Sequence, residues 1–189
     1  MRAEDLEDGI LWHENQNIYQ PSARPLADFL ATIDLVSPIS IRRPEGDPSL
    51  RVFITQRCFD AMQEHARCDI LREQAGILCG QAYHDSDQLY LDVNSAFPVD
   101  TISSSAHFQF HEGSWEPVWK QFENKVVVGW YHTHPGLGIF LSPTDLRTQE
   151  NYFSACWQIA VVIDPISRAF GIFHGKGNML NDKYHVIYS

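Results

Sequence analysis

The chain has 189 residues, of which 44% are hydrophobic and 20% charged, so it is long enough for one domain with a sizeable core. Its formal net charge of -10 and its lack of a long basic run argue against nucleic acid and anionic membrane surfaces as partners. The acidic start, residues 1–8, lacks the apolar core of a secretory signal, and no apolar run has the length of a bilayer span.

The first 48 residues differ from the rest in carrying five prolines and little alternation of polar and apolar residues. We therefore predict an N-terminal extension over residues 1–48 and a folded domain over residues 49–189. Within the extension, Leu26, Phe29, Leu30 and Ile33 have helical spacing, with Pro25 at the first helical position. Such a short helix either packs on its own domain or docks a partner.

The remaining residues alternate between strand and helix patterns. Thr55 is the expected N-cap of the first helix in this part, and residues 101–111 show no clear pattern. The fold class that follows is α/β, with a mixed, mostly antiparallel sheet flanked by helices. The predicted strands are 51–54, 76–83, 88–97, 126–134, 157–163, 169–174 and 184–188, and the predicted helices are 55–72, 114–124 and 144–153.

Four cysteines show no paired spacing and lie in predicted strands, helices and loops, which predicts free buried thiols. A chain with neither a disulfide pattern nor a secretory signal is expected in the cytoplasm. These cysteines are Cys58, Cys68, Cys79 and Cys156.

Two histidines, His132 and His134, flank Thr133 at the end of the apolar strand 126–131. Side chains two residues apart in a strand leave the same face, with Cα atoms about 6.5 Å apart, so both imidazoles can reach one zinc ion. After a turn, Ser142 and Asp145 have the spacing of a helix N-cap and its N3 residue. This places a carboxylate opposite the histidines and predicts three zinc ligands, with a fourth position for water.

The same residues also have a simpler interpretation. Histidines are common at sheet edges, and Ser-x-x-Asp is a common capping box. The full combination, His132-Thr133-His134-Pro135 followed by Ser142-Pro143-Thr144-Asp145 and preceded by Glu73, resembles the signature of the JAMM (MPN+) zinc metalloproteases. The run 73–80, with a glutamate before a Gly-x-x-x-Gly strand, and the run 160–165 extend the resemblance over about residues 50 to 189.

This resemblance implies a cytidine-deaminase-like fold and an isopeptidase that removes ubiquitin or a ubiquitin-like protein with one zinc ion. It assigns the metal to His132, His134 and Asp145 and the general acid–base role to Glu73. Composition alone leaves this last choice open among Glu73, Glu112, Glu116, Glu123 and Glu150. By resemblance, Ser142 donates a hydrogen bond to the negative charge that develops on the scissile carbonyl oxygen.

The partners implied by the resemblance are a ubiquitin-like protein or its conjugates, together with E1-like and E2-like enzymes of the same pathway. The compact length is similar to that of prokaryotic members. Residues 99–113 are the expected groove for the substrate tail, bound by strand addition. Two rival functions remain open: a JAMM hydrolase for a sulfur-carrier or small-molecule substrate, and a non-catalytic MPN scaffold.

Overall fold

The computed structural model describes residues 19–34, 50–99, 101–104, 107–110, 125–175, 177–179 and 185–189. No helix in these ranges is long and apolar enough to cross a membrane. The strands are β1 Ser22–Ala23, β2 Leu50–Thr55, β3 Ala75–Asp85, β4 Gln88–Val99, β5 Thr101–Ser104, β6 His107–Phe110, β7 Val126–Thr133, β8 Ile159–Asp164, β9 Ala169–His174, β10 Asn178–Met179 and β11 His185–Tyr188, and the helices are α1 Leu26–Leu30, α2 Gln56–Cys68 and α3 Pro143–Tyr152.

The main sheet has nine strands in the order β10-β9-β8-β7-β3-β4-β2-β11, with β1 beside β3. Strand β3 pairs antiparallel with both β4 and β7, whereas β7–β8, β2–β4 and β2–β11 are parallel pairs. Strands β5 and β6 form a separate antiparallel pair in a stretch that the sequence left unassigned. The expected mixed sheet with flanking helices is thereby confirmed.

Alternation along the central strands separates two hydrophobic cores on opposite faces of the sheet. Tyr131 and Val161 face the core that receives α2, whereas Trp130 and Val162 face the core that lies beside α3. Gly76 permits close packing of the central strands, because a Cβ there would overlap the carbonyl oxygen of Phe97 and the ring of Tyr131. Neighbouring residues of β7 therefore serve different cores.

Helix α2 begins as predicted but ends four residues earlier. Thr55 is its N-cap, and the Thr55 hydroxyl accepts a hydrogen bond from the Cys58 N–H at 3.2 Å. The helix ends at Cys68, because Asp69 adopts an extended backbone and its carboxylate accepts the Leu71 N–H at 2.9 Å. As a result Ile70, which lies within the predicted helix 55–72, is outside α2 and 49% exposed.

Helix α1 packs on the end of the sheet that contains β2, β4 and β11. Its residues Leu26 and Phe29 are buried in a cluster with Phe53, Tyr90 and Tyr188. Pro25 is the residue before the helix, not its first helical residue, and the helix ends at Leu30. Apolar burial thus orients this part of the N-terminal segment against its own sheet.

Some other sequence predictions need adjustment. The strand expected at 157–163 begins at Ile159, and the last strand begins at His185. The turn expected at 84–87 contains only Ser86 and Asp87, because β3 and β4 extend into it from both sides. The helix predicted at 114–124 lies outside the described residues.

The four cysteines are free, but only two of them are buried. Burial raises the pKa of the Cys58 and Cys79 thiols to about 12 in each case. Cys68 and Cys156 are exposed, so the expectation of buried thiols is wrong for these two. Cys68 is the last residue of α2, and Cys156 lies in the turn before β8, between Ala155 and Trp157, which pack in the core.

Candidate metal centre

Strand β7 brings His132 and His134 to the same side of the sheet, as predicted. The ring of His132 stacks on Trp130, with centroids 4.5 Å apart and planes 12° apart. The ring of His134 packs at 4.6 Å from Phe140, in the loop that follows β7. Both imidazoles are thus held by aromatic neighbours, and their side chains are at most 3% exposed.

The chain turns immediately after His134, and the turn is anchored by Asp164 at the end of β8. One carboxylate oxygen of Asp164 accepts hydrogen bonds from the N–H groups of Gly136, Ile166 and Ser167, at 2.9, 2.9 and 3.2 Å. Gly136 has a φ of +74°, which glycine adopts without strain. Burial raises the pKa of Asp164, but these hydrogen bonds outweigh it and bring the pKa down to about 2.

Helix α3 follows this turn and brings the carboxylate of Asp145 close to the two histidines. Ser142 is its N-cap, as predicted from the sequence, and Pro143 is its first residue. The Ser142 hydroxyl accepts the Asp145 N–H at 3.2 Å, and Oδ2 of Asp145 accepts the Ser142 N–H at 2.7 Å. The capping box therefore fixes the carboxylate of Asp145 at the start of the helix.

The pKa of Asp145 reflects this setting. Burial raises it, but hydrogen bonds with His132 and His134, a charge interaction with His132 and a hydrogen bond with Ser142 hold it well below the usual range of a carboxylic acid. The group is consequently a carboxylate at neutral pH, which is the form that ligates a metal ion.

The atoms Nε2 of His132, Nε2 of His134 and Oδ2 of Asp145 form a compact triangle. The two nitrogens are 3.1 Å apart, and they lie 3.4 and 3.6 Å from the oxygen. A tetrahedral ion with bonds of about 2.0–2.1 Å needs ligand atoms about 3.3–3.4 Å apart. The observed separations bracket this spacing, so a single ion can contact all three atoms.

The chemistry of this donor set agrees with its spacing. Two imidazole nitrogens and a carboxylate oxygen buried this close need a shared cation or protons between them. Within the described ranges, these three side chains form the one group of His, Cys, Asp and Glu residues whose ligand atoms lie this close together. The residues present could therefore hold a metal ion.

Glu73 lies beside the triangle but outside it. Its Oε1 atom is 4.0 Å from Nε2 of His134, and its side chain is 10% exposed. The residue is in the connection between α2 and β3, where the backbone of the next residue, Gln74, pairs with Thr133. Thus the chain places a buried carboxylate next to one of the three candidate ligands.

Of the four other glutamates considered as the general base, the structure describes only Glu150. Glu150 is exposed on α3, and Glu112, Glu116 and Glu123 lie outside the described residues. The predicted substrate groove at residues 99–113 is described only as the backbone of the β5–β6 hairpin, together with Val99 at the end of β4.

Sequence analysis missed a buried polar group behind the ligands. Gln149, which is 2% exposed, accepts a hydrogen bond from Trp130 Nε1 at 2.8 Å. It also donates to the carbonyl oxygens of Phe153 and Gln158, at 2.9 and 3.3 Å. Its position one turn after Asp145 on the same helix face was the signal available in the sequence.

Comparison with known proteins supplies the family. The model of the JAB1/Mov34/MPN/PAD-1 ubiquitin protease family matches residues 48–156. The chain is 32% identical over 149 residues to the 26S proteasome regulatory subunit RPN11 of Encephalitozoon cuniculi. That alignment covers 76% of this chain and 48% of that protein. It is 29% identical over 144 residues to the ubiquitin carboxyl-terminal hydrolase RPN11 of Saccharomyces cerevisiae, which covers 75% of this chain and 45% of that protein.

The match therefore spans about half the length of these curated relatives. Among solved structures, the protein DSY2949 from Desulfitobacterium hafniense is similar in fold, with a TM-score of 0.54 and 19% identity. That match covers 72% of this chain and 92% of the other. On the family match and the arrangement of β7 and α3, the chain belongs to the JAB1/Mov34/MPN/PAD-1 ubiquitin protease family.

Proposed function

We propose that this protein is a zinc-dependent isopeptidase that cleaves after the C-terminal tail of a ubiquitin-like protein. It would release that protein from targets or mature its precursor. The observation that carries the proposal is the buried triangle of His132, His134 and Asp145, with the Glu73 carboxylate 4.0 Å from His134. The similarity to a ubiquitin carboxyl-terminal hydrolase supports the substrate class.

In this proposal, His132 and His134 hold zinc through Nε2 and Asp145 holds it through Oδ2. Zinc is favoured over Ca²⁺ or Mg²⁺ because two of three ligands are imidazole nitrogens, whereas those ions prefer oxygen ligands. When bound, zinc lowers the pKa of a water molecule toward about 7 and so supplies a nucleophile near neutral pH. The remaining chemistry falls to side chains around the ligands.

Glu73 is the general base that takes a proton from the attacking water and then donates it to the leaving amine. Its distance of 4.0 Å from His134 Nε2 exceeds the separations within the ligand triangle, which reach 3.6 Å. Glu73 is also outside the group of His132, His134 and Asp145, whose ligand atoms all lie within 4.8 Å of one another. Its position beside that group favours a proton-transfer role over a ligand role.

Ser142 is the donor that stabilises the negative charge developing on the scissile carbonyl oxygen. Its hydroxyl oxygen already accepts the Asp145 N–H as a helix cap. A hydroxyl group has one proton to donate in addition to its acceptor sites, so capping leaves that proton available for the substrate. The two roles are therefore compatible in one side chain.

The substrate side of the proposal follows the same family assignment. Residues 49–189 form the catalytic domain and residues 1–48 an extension, with the tail bound along residues 99–113. The partners are a ubiquitin-like protein or its conjugates, with E1-like and E2-like enzymes in the same pathway and a cytoplasmic location. The RPN11 relatives, which are named as proteasome subunits, favour protein conjugates as the substrate over small molecules.

The decisive experiment is a cleavage assay on three probes with zinc-loaded and chelator-stripped protein. The probes are ubiquitin with a fluorogenic amide at its C-terminus, a lysine-linked diubiquitin, and a ubiquitin-like sulfur carrier with a C-terminal extension. We expect zinc-dependent cleavage of a ubiquitin probe. Cleavage of the sulfur carrier alone would favour the sulfur-carrier alternative, and zinc binding without any cleavage would favour a scaffold.

A further inference from the structure

Strand β7 and helix α3 meet at two adjacent contacts, of which only one involves the ligands. His132 and Asp145 make the first contact, with 3.4 Å between Nε2 and Oδ2. Trp130 and Gln149 make the second, with a hydrogen bond of 2.8 Å. Trp130 is two residues before His132 on the strand, and Gln149 is four residues after Asp145 on the helix. The second contact therefore repeats the first, one step along both elements.

We propose that Trp130 and Gln149 are positioning residues that set the spacing between β7 and α3 and so prepare the ligand triangle before an ion binds. This inference rests on the proposed metal site and adds to it the residues that determine metal affinity. Neither side chain contacts the ion in this proposal. Trp130 acts through His132, on which it stacks, and Gln149 acts through Trp130 and through the helix that carries Asp145.

Trp130 is suited to this role because it constrains His132 directly. Its ring is fully buried and stacks on His132 with planes 12° apart, and it stacks on Phe153 with planes 15° apart. The indole N–H has a fixed direction relative to this stack. Its hydrogen bond to Gln149 therefore orients the indole, and with it the imidazole plane of His132.

Gln149 is held from the opposite side by the backbone. Its amide donates to the carbonyl oxygens of Phe153 and Gln158, at 2.9 and 3.3 Å. The amide of Gln158 in turn donates to the Val127 carbonyl oxygen of β7 at 3.1 Å. Gln149 on α3 is therefore linked to β7 twice, directly through Trp130 and indirectly through Gln158 and Val127. A buried, satisfied polar network of this kind specifies one arrangement of the elements.

The test measures metal affinity and coordination geometry in addition to activity. Gln149→Met keeps the side-chain length but removes its amide hydrogen bonds, and Trp130→Phe keeps an aromatic ring beside His132 but removes the N–H donor. Zinc affinity is measured by competition with a chelator, and cobalt(II) is added to metal-free protein to record its visible spectrum. Arg147→Met, an exposed position on the same helix, is the matched control.

We expect each of the two variants to bind zinc about 10- to 100-fold more weakly, as is usual when the residues that orient a ligand are lost. The intense cobalt absorption of a tetrahedral site should fall and shift, whereas Arg147→Met should match the wild type. The double variant should bind zinc only slightly more weakly than the single variant with the larger loss of affinity, because both substitutions remove the same hydrogen bond.

Stability is followed in parallel to separate positioning from folding. Met62→Ala, on the buried face of α2, provides a destabilised protein with an intact β7–α3 contact. If Gln149→Met lowered the unfolding temperature as Met62→Ala does but kept wild-type zinc affinity and cobalt spectrum, the positioning proposal would be overturned. If the wild type itself bound no zinc, the proposed function would fail instead.

Discussion

Thr133, the last residue of β7, forms two hydrogen bonds with Gln74, the residue immediately before β3. The Thr133 N–H donates to the Gln74 carbonyl oxygen at 2.9 Å, and the Gln74 N–H donates to the Thr133 hydroxyl oxygen at 2.8 Å. Thr133 lies between the two histidines and points to the opposite face of β7. The residue before Gln74 is Glu73, so this pairing places the carboxylate beside His134.

Replacing Thr133 with valine tests this relationship. Valine has the same shape but cannot accept the Gln74 N–H, and leaving that group unsatisfied costs about 1–3 kcal/mol. We expect zinc content to be unchanged and turnover to fall by about ten- to a hundredfold, because Glu73 is displaced. Thr133→Ser should restore most of the activity. Loss of zinc from Thr133→Val, measured by metal analysis, would contradict the proposed division of roles.

Removing a proposed ligand should lower the zinc content, which Thr133→Val is expected to leave unchanged. We expect His134→Ala to lose stoichiometric zinc while retaining a folded domain, because two remaining ligands bind zinc far more weakly. His174→Ala, at a partly buried histidine at the end of β9, is the control and should keep full zinc occupancy. Metal analysis of both purified variants makes the comparison, and full occupancy in His134→Ala would remove this residue from the site.

The acid–base role is tested by Glu73→Gln, which keeps shape and polarity but cannot accept a proton. We expect normal zinc content and cleavage slowed by at least about a hundredfold, the low end of general acid–base contributions. Glu150→Gln, which changes an exposed carboxylate on α3, should cleave at the wild-type rate. Near-normal cleavage by Glu73→Gln in the fluorogenic assay would move the role to another group.

The capping role of Ser142 and its proposed role as an oxyanion donor can be separated by substitution. Ser142→Ala removes the cap, at about 1 kcal/mol of stability, and the donor, at about a hundredfold or more in turnover. Ser142→Asn keeps a capping oxygen but misplaces the donor, so we expect a stable, zinc-loaded and slow protein. Thermal unfolding and turnover are measured together. Wild-type turnover in Ser142→Asn would reduce Ser142 to a helix cap.

Asp164 should make stability depend on pH in the acidic range. Its folded pKa of about 2 lies below the unfolded value of about 3.9, so its contribution is fully present above pH 4 and is lost as the pH falls through 2. We expect metal-free Asp164→Asn to be less stable than the wild type by about 2 kcal/mol at pH 6, with a smaller difference at pH 3. Urea unfolding at both values measures it, and a constant difference would assign the loss to geometry alone.

The arrangement of the three candidate ligands was predictable because its signals are local. The spacing of His132 and His134 follows from strand geometry, and the capping box fixes Asp145 relative to Ser142. The position of Glu73 was not predictable by geometry, because it depends on a pairing with Thr133, which is 59 residues away from Gln74. The same applies to Gln149, whose partner Trp130 is brought close only when α3 packs on the sheet.

The early end of α2 has a different cause. The predicted helix continued to residue 72, but the Asp69 carboxylate accepts a hydrogen bond from the Leu71 N–H, which competes with the next helical turn. The parallel pairing of β2 with β4 could not be predicted from the sequence of either strand. Alternation of polar and apolar residues indicates which face of a strand is buried, but not which strand lies beside it.

The opposite orientations of His132 and Thr133 on β7 separate two properties of the proposed site, the binding of the metal ion and the placement of Glu73. Substitutions in the core beside α3 would change how tightly the metal is held, whereas substitutions under α2 would change how the proton acceptor is aimed. A protein engineer could then alter metal selectivity without slowing proton transfer, or shift the rate without losing the ion. Natural variants on the two faces should accordingly fall into two phenotypic groups, those rescued by added zinc and those that are not.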